Sequence, residues 1–152
     1  MQDYPGLLIA AARRKIKQAV AARLAGHPLN SHQFWIAITI GEHRGLSQAE
    51  LAARLRVDAP TASRAIAGLV TRGLVRASED PADRRRTRLV LTAAGERLVR
   101  DLAPIAREVR EAVIAGMSDP EVAALQSGLQ RVLRNLEQLE AAPARASRRR
   151  RA

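Results

Sequence analysis

The chain has no cysteine, which excludes disulfides, thiolate metal sites, cysteine-based catalysis and oxidation sensing through a thiol. Aromatic side chains are nearly missing as well: Tyr4, Phe34 and Trp35 are the whole set. With 47% hydrophobic residues, the core must come from Leu, Ile, Val and Ala, which favours packed helices over a β-sandwich. No apolar run approaches a membrane span. The short run over residues 7–12 is followed rather than preceded by basic residues, so no signal peptide and a cytoplasmic protein are expected. The three histidines, His27, His32 and His43, lack metal-ligand spacing, and neither a nucleophile motif nor a phosphate-binding glycine loop is present. An enzyme is therefore not expected, and neither is a metal or other cofactor.

Acidic charge is also scarce. Against 15 acidic residues stand 26 basic ones, for a net charge of +11, and only Lys15 and Lys17 among them are lysines. This excess points to a polyanionic partner, nucleic acid before membrane, although composition alone fits an arginine-biased soluble protein equally well. A length of 152 residues allows one domain, or two small modules sharing a core.

The most informative stretch is residues 46–95. Ser47 with Glu50 three later is a capping box, opening a short helix with Leu51 and Leu55 on one face. Val57-Asp58-Ala59 breaks it, because the residue before Pro60 is pushed out of the helical region, and Pro60 suits the first turn of a second helix. That helix is expected to turn Ile66, Leu69 and Val70 inward and to stop near Gly73, a left-handed C-cap. Leu74-Val75 begins one strand and residues 87–91 alternate as a second; residues 78–86 between them are polar, turn-rich and basic at their end. A helix-turn-helix followed by a hairpin with an arginine-rich tip is a winged helix, and guanidinium groups at such a tip suit a narrow minor groove.

The flanks are helical by periodicity. Leu8, Ala12, Ile16 and Val20 line a helix over residues 5–25, and Gly26-His27-Pro28 stops it. Asn30 with Gln33 starts the next, which carries Phe34, Trp35, Ile36 and Ile38. Thr92 caps a long helix over 93–115 with the seam Leu98, Leu102, Ile105, Val109 and Val113, which Pro104 is expected to kink or open. Ser118 with Glu121 opens the last helix, striped by Val122, Leu125, Leu129, Val132, Leu136 and Leu139. A small winged unit cannot cover all this apolar surface. Dimerisation is preferred over an intramolecular bundle, since the terminal helices share no short loop.

Asp83-Arg84-Arg85, Arg88-Leu89, Leu91-Thr92 and Gly95, with Leu51-Ala52 and Arg72-Gly73-Leu74-Val75 before them, resemble the MarR family of winged-helix transcriptional regulators. That spacing is far more specific than a helix-turn-helix alone. The resemblance implies a mostly α fold with a small β-wing, a winged helix-turn-helix flanked by N- and C-terminal dimerisation helices. The boundaries are 1–30 and 93–140 for dimerisation, 31–92 for DNA binding, and 141–152 for an Arg-rich tail expected to be disordered. It further implies a homodimeric regulator, a repressor first, that binds double-stranded DNA at a pseudo-palindromic operator and is released by a small, often aromatic or phenolic, molecule. The tail, with Arg145 and Arg148 to Arg151, is either a non-specific DNA clamp or a solvated end.

Candidate contacts follow. Thr61, Ser63 and Arg64 lie near the start of the second helix, where a recognition helix meets DNA; Arg64 suits a bidentate contact to guanine. Thr61 and Ser63 bond a base or phosphate, or merely cap the helix. Gln48, at the start of its helix, bonds a phosphate or is an ordinary exposed residue. By resemblance Arg85 enters the minor groove; from the residues themselves Arg84 and Arg86 suit phosphates, Asp83 braces the tip and Arg88 packs or pairs structurally, the alternative being a solvated charge run. His32 with Trp35 lines a ligand pocket, or Trp35 is partly buried filler. Gly68, in mid-helix, replaces the family's usual larger polar residue. The alternative function is a non-specific architectural DNA-binding protein using the same basic surface.

Overall fold

A computed structural model of the protein describes residues 4–79 and 87–141. Asp83, Arg84, Arg85 and Arg86 of the wing tip, and the arginines of the tail, lie outside the described residues. The element order is α1 (Pro5–Arg23), α2 (Ser31–Glu42), α3 (Gln48–Leu55), α4 (Ala59–Thr71), β1 (Val75–Glu79), β2 (Thr87–Leu91), α5 (Ala93–Ile114) and α6 (Asp119–Ala141). The chain divides into two compact units, residues 1–113 and 114–152.

The first unit is built around α2. Phe34, Ile36, Ile38 and Ile40 are fully buried, with Leu51 of α3, Leu69 of α4, Val75 of β1 and Leu102 of α5 completing the core. A helix apolar on nearly every side belongs at a centre, and burial of each such side chain is worth about 1.5–3 kcal/mol. Its start is fixed by a reciprocal cap: the Gln33 amide N–H donates to Asn30 Oδ1 at 2.9 Å, and the Asn30 N–H donates to Gln33 Oε1 at 3.2 Å. Gly68 gains a structural reason here. A Cβ on Gly68 would run into the Gln33 side-chain nitrogen, so the bare backbone of α4 makes room for the cap of α2.

The wing is a two-stranded antiparallel ladder with Val75 opposite Leu91 and Glu79 opposite Thr87. β1 therefore takes in Ser78 and Glu79, which the sequence assigns to the turn. The Leu89 N–H also donates to the Leu46 carbonyl at 2.8 Å, which ties β2 to the segment leading into α3. Thr92 Oγ1 donates to the Gly73 carbonyl at 2.6 Å and accepts from the Gly95 N–H at 3.1 Å, so it caps α5 and locks the wing base together.

Several expectations are corrected. Val70 does not face the core: it is 45% exposed, because the buried positions Ala62, Ala65, Ile66 and Leu69 place it one step past the inner face of α4. α1 ends at Arg23, with Leu24 as C-cap and Gly26 at φ +87° turning the chain.

Both end helices leave apolar stripes open. On α1 the stripe is graded, from exposed Leu8 and Ala12 through half-buried Ile16 to fully buried Val20. α6, in the second unit, starts at Ser118, whose N–H and hydroxyl both donate to Glu121 Oε2. It has no buried residue at all.

Candidate nucleic-acid interface

The helix-turn-helix is positioned by two caps. At α3 the Ser47 N–H donates to Glu50 Oε2 at 2.8 Å and the Glu50 N–H donates back to Ser47 Oγ at 3.2 Å. Gln48, the first residue of α3, is exposed. At α4 the cap is Asp58: its carboxylate accepts from the Thr61 N–H at 2.7 Å and from the Thr61 hydroxyl at 2.8 Å. The Asp58 carboxyl is held below the ordinary carboxylate range, first by the backbone bond from Thr61 and then by its hydroxyl.

The buried positions of α4 turn its other side outward. Ala59, Pro60, Ser63, Arg64 and Ala67 are exposed along one face, with small side chains around the single guanidinium. Thr61 differs from its neighbours. It is half-buried, its hydroxyl is spent on Asp58, and Arg64 approaches it with a long 3.5 Å bond. The candidate contacts Gln48, Ser63 and Arg64 are thus presented to solvent, while Thr61 serves inside the cap network. Arg88 is half-buried with its guanidinium against Gly45, whose φ of +82° brings the backbone close.

Leu89, Thr92 and Gly95 of the wing motif are structural in position: Leu89 is buried, Thr92 caps α5, and Gly95 lies hard against the Leu74 carbonyl.

His32 and Trp35 do come together, on the wall of a cleft of about 820 Å³ between α1, the start of α2 and the turn joining α3 to α4. Trp35 packs edge-on to Phe34 with centroids 4.9 Å apart, and the Arg110 guanidinium sits 5.5 Å from its ring. Arg110 is in turn held by Glu42 in a two-pronged pair at 2.6 and 2.9 Å. That pair lowers the Glu42 carboxyl and raises the Arg110 guanidinium from their ordinary values, each chiefly through the hydrogen bond to the other. A second pair, Arg23 with Glu108, ties α1 to α5. Both pairs are largely solvent-exposed, so they orient α5 more than they stabilise it.

Two functional features went unread in the sequence. Asp58, followed by Pro60 and three residues before Thr61, has the pattern of an N-cap and was open to detection. The convergence of α1 cations on the cleft depends on long-range packing and left no local signal.

Asp58 gives a pH test. Its depressed folded value means that the stabilisation is complete above the unfolded value of about 3.9 and is lost as pH falls through the folded value. Asp58→Asn, which keeps a capping oxygen, should melt close to wild type at neutral pH and lose less stability on acidification. Thermal melts from neutral pH to about pH 3 check this; identical acid-side losses would remove Asp58 from the account.

The sequence pattern of the MarR family matches residues 27–86. The HTH-type transcriptional repressor NicR of Pseudomonas putida is 34% identical over 97 residues, covering 64% of this chain; the chain spans 61% of NicR. The transcriptional regulator HosA of Escherichia coli O111:H- is 32% identical over 93 residues, 61% of this chain and 69% of HosA. The crystal structure of the transcriptional regulator PA3341 superposes with a TM-score of 0.76 at 34% identity, over 89% of this chain and 99% of that one. No described helix is long and apolar enough to cross a membrane.

Proposed function

Because the chain belongs to the MarR family of transcriptional regulators, we propose that it is a homodimeric repressor that binds a pseudo-palindromic operator in double-stranded DNA and is released by a small molecule. The observation that carries this reading is the outer face of α4, where Ser63 and Arg64 stand exposed among small residues on a helix fixed by the Asp58 cap. A helix presented in this way fits a major groove, and the net charge of +11 favours the phosphate backbone on either side. Residues 31–92 supply the DNA-binding part. Residues 1–30 and 93–140 supply the dimer contacts, in keeping with the open stripes of α1 and α6. The name of the relative NicR supports repression over activation. The cleft at His32 and Trp35 is the place for the releasing ligand.

Sequencing the genomic fragments that the protein retains at moderate salt tests the proposal. A single palindromic consensus beside promoters supports it. Uniform recovery of all sequences would support the architectural alternative instead.

A finer test separates helix from wing. Arg64→Ala should cost about 1–3 kcal/mol against the preferred base at one position per half-site and little against other bases. Arg85→Ala should instead weaken binding most where the flanks are A·T-rich and narrow. Titrations on operators varied separately at core and flank check this. An Arg64→Ala protein with unchanged preference at every core position would remove Arg64 from direct readout.

A further inference from the structure

Pro60, Arg64, Ala67 and Thr71 form a single row along α4, and all of them are exposed. The row lies opposite Ala62, Ala65, Ile66 and Leu69, which are buried, so it is the part of α4 that reaches furthest into whatever the helix docks against. Ser63 and Val70 run beside it, and Val70 is 45% exposed.

This face has few hydrogen bonds to give. The polar side chains of α4 are Thr61, Ser63, Arg64 and Thr71. Thr61 donates its hydroxyl to Asp58 at 2.8 Å, and Thr71 donates its hydroxyl to the Ala67 carbonyl at 2.9 Å. Ser63 and Arg64 keep donors for a partner. Beyond Arg64 the outer face consists of the Ala67 methyl, the Val70 side chain and a threonine whose donor is committed to its own helix. Pressed against polar base edges, such a surface would leave their donors and acceptors desolvated and unpaired. The apolar group that a base pair shows in the major groove is the pyrimidine C5-methyl of thymine. A 5-methylcytosine carries the same group at the same place. The small side chain at Ala67 lets the helix come close enough to touch it.

We infer that the outer face of α4 selects a pyrimidine C5-methyl group, received between Ala67 and Thr71 one turn apart, while Ser63 and Arg64 supply the polar contacts beside it. This rests on the reading of α4 as the helix that enters the major groove, and it adds the base-edge group the helix selects and the residues that select it. Each half-site then carries a methyl-bearing pyrimidine next to the base that Arg64 contacts. An unmethylated cytosine at that place is rejected, because its amino group would face Ala67 without an acceptor.

Exchanging thymidine for deoxyuridine, one position at a time in the recovered operator, removes a methyl and keeps every base-pair hydrogen bond. Titration of the full chain on these duplexes should find a position in each half-site where the exchange weakens binding about fourfold, or about fifteenfold when made in both, as loss of one buried methyl per half-site implies. Exchange at the remaining thymines should have little effect. Ala67→Ser should melt like wild type, since the position is exposed, and should bind the thymine and uracil duplexes alike. Thr71→Ser loses a methyl and keeps the hydroxyl that bonds the Ala67 carbonyl, so it should narrow the difference without closing it. Exchanging cytosine for 5-methylcytosine is the second arm: a gain in affinity that Ala67→Ser abolishes, with deoxyuridine neutral, would support the inference and place the methyl on cytosine. Indifference of the wild-type protein to both exchanges would overturn the inference. So would a methyl effect that persists unchanged in both variants, since altered DNA stacking alone would persist in that way. Failure to retain any specific fragment would instead defeat the regulator reading itself.

Discussion

Changing Leu129 to Asp is expected to split the proposed dimer and to weaken operator binding by about a hundredfold or more, because two linked half-site contacts become one. Leu129 is 39% exposed, and the stripe continues through Leu136 at 50% and Leu139 at 70%. On α1, Leu7 and Leu8 are 68% and 53% exposed. Full burial of an exposed leucine is worth about 1.5–3 kcal/mol, so these partly covered ones stand to gain roughly half of that each, and a two-fold interface counts every residue twice. An aspartate at the centre of that interface adds the cost of a desolvated charge on both copies. Leu129→Met, close in volume, should leave both assembly and DNA binding nearly intact. Sedimentation velocity and operator titration on the same samples check the pair. Wild-type protein that is monomeric at micromolar concentration yet binds one operator tightly would contradict the proposed assembly.

The second large effect is on folding. Gly95→Ala should destabilise the protein by about 3 kcal/mol, which for a chain of this size lowers the melting temperature by about 6–12 °C. The added Cβ would lie well inside van der Waals contact distance of the Leu74 carbonyl oxygen, with a Leu91 methyl at 3.3 Å. Neither can retreat easily. The Leu74 carbonyl accepts from the Thr92 N–H at 3.0 Å, and the Thr92 hydroxyl holds the neighbouring Gly73 carbonyl, so relief would open the junction of β1, β2 and α5. Gly68→Ala is the contrast. Its Cβ meets only the end of the Gln33 side chain, so relief costs the Gln33 half of the α2 cap, and this is offset by the up to about 1 kcal/mol of helix propensity that alanine returns. Its melting point should stay near wild type. A Gly95→Ala protein that melts alongside Gly68→Ala would show the backbone approach to be unimportant.

These glycines mark the boundary between what was legible in the sequence and what was not. Helix starts were legible, because caps are local: Asn30 with Gln33, Ser47 with Glu50 and Thr92 with Gly95 each bond within three residues. The wing motif was legible by its spacing, but the reason for Gly95 is a contact across the sheet that only the fold reveals. Val70 shows the same limit on a smaller scale. Periodicity located an apolar face on α4, but whether it ended at Leu69 or Val70 depended on the neighbouring elements. Of the candidate DNA contacts, Gln48, Ser63 and Arg64 occupy exposed positions, whereas Thr61 is committed to Asp58. The pairing of His32 with Trp35 at one cleft was anticipated. Its cationic wall was not, since Arg13, Arg14 and Lys17 look like an ordinary solvated face of α1 until the fold brings α2 and the turn after α3 beside them.

The measurement that tests the regulator account most directly is the ratio of affinities for the recovered operator and for a scrambled duplex of the same composition, at about 0.15 M salt, with stoichiometry read in the same titration. The account predicts about a thousandfold or greater preference for the operator, within the range usual for specific DNA-binding proteins, at two chains per duplex. A ratio near one, with chains added in proportion to duplex length, would contradict it and leave a basic protein that coats DNA without reading it.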